Sequence, residues 1–156
     1  VGRRRLAREI ALQALYVADV SRTPAAEAFA IVTRRDDDAD EQTLEFARGL
    51  ALGALERVEA LDALIQARAD NWAMNRMAAV DRNVLRLAAY ELVERADTPV
   101  GVVIDEAIEI VRKYSAEEAT RFVNGILDAL KTLRDDPKPK KAKAPKDEPP
   151  KDAAPE

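Results

Sequence analysis

The sequence predicts an all-α protein on three observations. Alanine, leucine, glutamate and arginine dominate and glycines number only five, a balance that favours helix. Apolar residues recur at three- and four-residue spacing through nearly all of the first 133 positions, the period of a helix with a buried face. Aromatic residues make up 4% of the chain, and the composition offers almost no strand signal. At 156 residues, 47% of them hydrophobic, the chain suits one domain with a substantial core.

Residues 3 to about 20 read as the first helix, with Leu6, Ala7, Ile10, Ala14, Val17 and Ala18 on its core face. Arg8, Leu12 and Tyr16 form a separate i, i+4 stripe flanked by Arg5. That stripe is either a second buried side or an exposed basic and aromatic surface. Thr23-Pro24 opens a short helix from Ala25 to about Arg34. The acids of Arg34–Asp40 lead into the next helix, where they complement its dipole. Asp36, Asp37 and Asp38 read as caps, because three adjacent aspartates cannot all face one metal ion. From Asp40 to about Ala69, Leu44, Ala47, Leu50, Ala51, Ala54, Leu55, Val58, Leu61 and Ile65 keep helical spacing, as one long helix or two in line. Gly49 and Gly53 lie four apart on one side of it, where a neighbouring helix could approach closely.

A turn or short helical piece is expected around Trp72–Arg76, with Trp72 read as a core plug rather than a base-stacking platform. The helix from near Asp81 to about Arg95 is apolar over most of its surface and should be central. Glu91 falls inside its apolar arc and should be paired with an arginine or hydrogen-bonded to backbone. After the turn Asp97-Thr98-Pro99, Ile104, Ala107, Ile108, Val111 and Tyr114 mark another helix. Ser115 followed by Glu118 reads as a capping box, starting a last helix near Ala116. Its arc is Ala119, Phe122, Val123, Ile126, Leu127, Leu130 and Leu133, with Asn124 and Gly125 on the flanks. An interior glycine costs about 1 kcal/mol relative to alanine, so another helix or a ligand is expected close to Gly125. Six of the eight prolines lie in 135–156 without any large apolar residue, which predicts a disordered Lys/Pro-rich tail after a domain spanning 1–134.

Composition also restricts the chemistry. The chain has no cysteine and no histidine, which removes disulfides, the usual zinc ligands and the usual nucleophile-base pairs. No cofactor, metal or catalytic residue is expected. With no run of about 18 apolar residues and no signal peptide, the expectation is a soluble, cytoplasmic protein without a membrane partner. Net charge is −4 but uneven. Residues 1–22 carry five arginines against two acids, a net of +3, and residues 36–62 carry nine acids against two arginines, a net of −7. Such a basic end and acidic middle suit different partners.

Three ordered stretches add a family resemblance: "RRRLAREIALQALY" at Arg3–Tyr16, "AVDRNVLRLAAYEL" at Ala79–Leu92 and "TPVGVVIDEAIEIVRKYSAEEATRFVNGILDAL" at Thr98–Leu130. Together they resemble the NusB family of transcription factors. The resemblance implies two packed helical bundles of about seven helices and a binding activity without catalysis. It further implies that the protein binds single-stranded boxA RNA of ribosomal RNA transcripts together with the ribosomal protein NusE, within the RNA polymerase antitermination complex. The family's RNA-binding arginine motif falls on Arg3, Arg4, Arg5 and Arg8, and the "FVNG" match adds Phe122, Asn124 and Gly125. Phe122 could equally complete the core. For the protein partner the resemblance points to Tyr16 and Asp81; Leu12 joins them as a member of the Tyr16 stripe, and the acidic helix near Asp36 is an auxiliary contact. A homodimer covering the arginine surface is a further expectation, motivated by the Leu12 and Tyr16 stripe. The rival readings are a NusB-like RNA-binding domain of a ribosomal RNA cytosine methyltransferase and a helical interaction module that binds no RNA.

Overall fold

Each apolar repeat becomes a helix. The computed structural model describes residues 2–34 and 38–134, and its elements are α1 (Arg3–Val20), α2 (Ala25–Thr33), α3 (Glu41–Glu56), α4 (Val58–Gln66), α5 (Ala79–Glu94), α6 (Val100–Tyr114) and α7 (Glu117–Leu130). Short 3₁₀ turns lie at Met74–Arg76 and Lys131–Leu133. No strand occurs among the described residues. Asp36, Asp37 and the tail 135–156 lie outside them. Among the described residues no helix is long and apolar enough to cross a membrane.

α1, α2 and α3 pack against one another as one bundle, and α4, α6 and α7 pack around α5 as a second. α5 joins the two, because it also lies on α1 and α3. From Asp81 to Leu92 every residue of α5 except Arg82 is buried. A helix enclosed on all sides can keep polar side chains only where they are paired. Asn83 Nδ2 donates to Asp19 Oδ2 at 2.9 Å. Arg86 donates to both carboxylate oxygens of Asp62 at 2.7 Å and to Asp19 at 3.1 Å. Glu91 accepts two bonds from Arg8, at 2.7 and 2.9 Å. The expected partner of Glu91 is thus an arginine of α1.

Gly53 shows why α3 and α5 lie close together. A Cβ at that position would overlap the phenol ring of Tyr90 on α5, so the missing side chain admits the neighbouring helix.

The apolar run after Asp40 forms two helices that divide at Arg57, whose backbone leaves helical geometry (φ −117°, ψ 21°), with Leu61 and Ile65 of α4 buried. Two expectations are corrected. Ser115 is not the cap of α7: that position falls to Ala116, with no side-chain bond, while the Ser115 hydroxyl donates to Asp81 Oδ1 at 2.6 Å. A buried carboxylate needs that proton more than a helix end open to water does. Trp72 is not a core plug either. It is 51% exposed, and its ring lies 4.6 Å, centroid to centroid, from Phe122.

Removing one member of a buried ion pair strands the other charge, whereas removing both does not. Arg8→Met should therefore destabilise the fold by about 3–5 kcal/mol, and Arg8→Met with Glu91→Leu should recover most of the loss. Urea unfolding of the two variants checks this; a single substitution costing under about 1 kcal/mol would contradict the pairing.

Candidate nucleic-acid interface

Three arginines in the first turn of a helix oppose its dipole, which is positive at that end. That turn of α1 contains no acid, and neighbouring elements supply the compensation. Arg3 Nη1 donates to Asp40 Oδ2 at 2.9 Å and to Gln42 Oε1 at 3.0 Å, with the Arg3 side chain still 63% exposed. Asp40 also caps α3 by accepting the Thr43 N–H at 2.8 Å. That backbone hydrogen bond, aided by the Arg3 charge, holds the Asp40 carboxyl below its ordinary value. Arg5 meets Glu106 of α6 fork to fork, at 2.8 and 2.9 Å. The hydrogen bonds raise the Arg5 guanidinium pKa and, against partial burial, lower that of Glu106.

Arg4 is exposed, and its Cζ lies 3.8 Å from the centroid of the Phe46 ring. Arg3, Arg4, Arg5 and Arg8 line one groove of about 1090 Å³, closed by Phe46, Gly49 and Arg95. The structure thus brings the four predicted arginines together but gives them different states. Arg8 is 4% exposed and committed to Glu91 at the groove floor, so it is a structural cation and not an accessible one. The acidic side chains of the groove are Glu45 and Glu106, against five arginines.

Phe46 and Arg95 are missing from the sequence expectations. Phe46 stands off the apolar arc of α3, and a large aromatic residue off the core face was the signal available. Nothing in the local pattern points to Arg95, since its position follows from how α5 ends beside α3.

Phe122, Asn124 and Gly125 do not line this groove. Phe122 is half-buried on α7, against the exposed Trp72. Asn124 Oδ1 is buried without a hydrogen-bond partner among the described residues. No atom of another element lies within 4 Å of a Cβ built on Gly125, so no helix requires that glycine and its backbone faces open space. Of the residues expected at a protein partner, Tyr16 is 41% exposed, whereas Leu12 is 3% and Asp81 4% exposed. Of the two readings of the stripe, the buried side holds for Arg8 and Leu12 while Tyr16 stays exposed, and Asp81 accepts the Ser115 hydroxyl rather than facing outward.

At the far end of α1, Asp19 accepts bonds from Arg82 and Asn83. Burial alone would raise the Asp19 carboxyl pKa, but those bonds and the charges of Arg82 and Arg86 lower it. Among the described residues no group of three or more acids could hold a metal ion.

Fold and groove together define a class, the small all-helical proteins that carry a cationic groove at the start of their first helix. Comparison with known proteins resolves the class further. The NusB family model matches residues 5–132, and the chain belongs to the NusB family. The transcription antitermination protein NusB of Elusimicrobium minutum is 47% identical over 135 residues, covering 86% of this chain and 96% of that protein. That of Anaeromyxobacter dehalogenans is 46% identical over 129 residues, covering 83% and 90%. Among solved structures, T. maritima NusB superposes with a TM-score of 0.77 at 38% identity, covering 84% of this chain and 92% of that one. A crystal structure of antitermination factors NusB and NusE in complex with dsRNA gives 0.77 at 30% identity, covering 83% and 96%.

Asp19, Asp40 and Glu106 all have native pKa values below their ordinary ones. The stability they contribute is present above the ordinary carboxylate range of about 4 and is lost as the pH falls through the depressed native range. With no histidine in the chain, the urea midpoint should stay flat from about pH 5.5 to 8 and drop below about pH 4. A transition centred near neutrality would contradict this assignment.

Proposed function

We propose that this chain is a transcription antitermination factor that binds boxA RNA together with NusE and helps RNA polymerase resist termination in the cytoplasm. The observation that carries the reading is an arginine-lined groove in a chain 46–47% identical to antitermination proteins over 129–135 residues. RNA is held by cations on its phosphates and by aromatic faces under its bases. Arg3, Arg4 and Arg5 supply the accessible cations, and Arg8 fixes the helix that carries them. Phe122 beside Trp72 offers a second aromatic surface next to the bare backbone of Gly125, with the buried, unpaired amide oxygen of Asn124 on the same helix. Tyr16 is the exposed residue assigned to NusE, whereas Leu12 and Asp81 are buried and reach no partner directly. Residues 1–134 are the binding unit. The solved NusB and NusE complex holds dsRNA, so a duplex belongs beside single-stranded boxA among the probes. The methyltransferase reading draws no support from these relatives, which match over 90–96% of their own length.

The test is titration of fluorescent boxA RNA, its scrambled control and a duplex, with and without NusE, at several salt concentrations. Tight sequence-selective binding strengthened by NusE is expected, and salt-erased binding without sequence preference would reduce the groove to a non-specific basic surface. Arg4→Ala should weaken RNA binding and flatten the salt dependence by about 0.7 in log–log slope while leaving the melting temperature unchanged. Tyr16→Ala should lower NusE affinity with RNA binding by the isolated chain intact. An unchanged NusE affinity would free Tyr16 for the homodimer reading, which sedimentation over a concentration series decides.

A further inference from the structure

Phe46 is the aromatic ring of the groove, and besides the paired Arg8 two arginines with no carboxylate partner among the described residues reach it from different elements. Arg4 approaches from α1, with its Cζ 3.8 Å from the ring centroid. Arg95 approaches from the end of α5, with its Cζ 5.4 Å away. Arg3, Arg5 and Arg8 each have a carboxylate partner. Neither Arg4 nor Arg95 has one among the described residues. Two like charges gathered on one ring repel each other, and an anion between them would relieve that repulsion.

Gly49 gives Arg95 room there. It stands one turn after Phe46 on α3, and a Cβ built on it would lie 2.6 Å from Arg95 Nη2. Alanine is the better helix residue, so glycine here trades helix stability for room, and the guanidinium fills that room. The Arg95 main chain is fixed on both sides: its N–H donates to Glu91 O at 2.9 Å, and its carbonyl accepts Arg134 Nη1 at 2.8 Å. Arg134 Nη2 also donates to the Thr98 carbonyl. The Arg95 side chain therefore enters the groove from an anchored base.

We propose that Arg4, Phe46 and Arg95 form a nucleotide subsite, with Gly49 as the residue that positions Arg95. A backbone phosphate of single-stranded RNA is bridged by the two guanidinium groups, and the adjoining base stacks on the face of Phe46 that Arg4 vacates. This subsite rests on the RNA-binding reading above and adds contacts from α3 and α5 to those of α1.

The experiment is titration of fluorescent single-stranded boxA RNA with the full chain and its variants across a salt series. Gly49→Ala leaves every charge in place and only displaces Arg95. Arg95→Gln should weaken binding about tenfold and flatten the log–log salt dependence by about 0.7, the loss of one phosphate contact, and Gly49→Ala should weaken binding in the same direction by a smaller factor. The double variant should bind no more weakly than Arg95→Gln, because the glycine acts through the arginine. Phe46→Leu keeps the apolar bulk and should weaken binding about tenfold with the salt slope unchanged, since it removes stacking and no charge.

Melting temperature and NusE affinity serve as controls for all variants. If Arg95→Gln melts early, Arg95→Lys keeps the charge and should fall between the parent and Arg95→Gln in affinity. Gly49→Ala binding like the parent, or adding its full loss to that of Arg95→Gln, overturns the subsite while leaving the RNA-binding reading intact. A parent chain that binds no boxA RNA overturns both.

Discussion

Arg8 and Glu91 are 4% and 2% exposed, on the two helices that cross at the centre of the molecule, and their bidentate contact sets where the rest can go. Desolvation offsets most of the attraction in so buried a pair, so its contribution to net stability is small. Its contribution to alignment is large. Sliding or rotating α1 on α5 would leave two charges buried without partners. The opposite end of α1 is tied in the same way, through Asp19 to Arg82, Asn83 and Arg86. With both ends fixed, the first turn of α1 must emerge between α3 and α6, which is where the groove lies.

Within that groove the chain holds its arginines without neutralising all of them. Asp40 and Glu106 pair with Arg3 and Arg5, which orders a helix start that its own dipole disfavours. Arg4 and Arg95 are held instead against an aromatic ring, a contact that leaves most of their field free. The net charge of −4 is compatible with binding an anion, because a partner responds to the local potential and not to the sum over the chain. Part of the acidic middle is likewise consumed inside the fold: Asp62 is bound to Arg86, and Asp40 both caps α3 and holds Arg3.

The helices were legible because their apolar spacing is regular, and the bounds of α1, α2, α5 and α6 lie close to those the pattern predicts. Periodicity does not report tertiary competition for a side chain. Ser115 has the spacing of a cap, yet Asp81, thirty-four residues away, takes its hydroxyl. Arg8 carries the same residue type as Arg3 and Arg4 but sits one turn deeper, where only Glu91 can accept it. Trp72 was misassigned because size suggested burial, while its place in an irregular connection leaves it at the surface beside Phe122. Arg95 and Gly49 could not be paired from the sequence at all, since their meeting depends on how α3 and α5 cross. The family resemblance named the arginine cluster as a unit. It could not separate the accessible cations from the one that holds the helix in place.

That separation is the central claim, and the most direct measurement of it follows the arginine guanidinium Nε–H resonances by NMR while boxA RNA is added. The Arg4 and Arg95 signals should shift with RNA, while the Arg8 signal stays sharp, protected from exchange and unmoved. An Arg8 resonance that shifts with the RNA, or Arg4 and Arg95 resonances that ignore it, would contradict the division between the cation that builds the groove and those that use it.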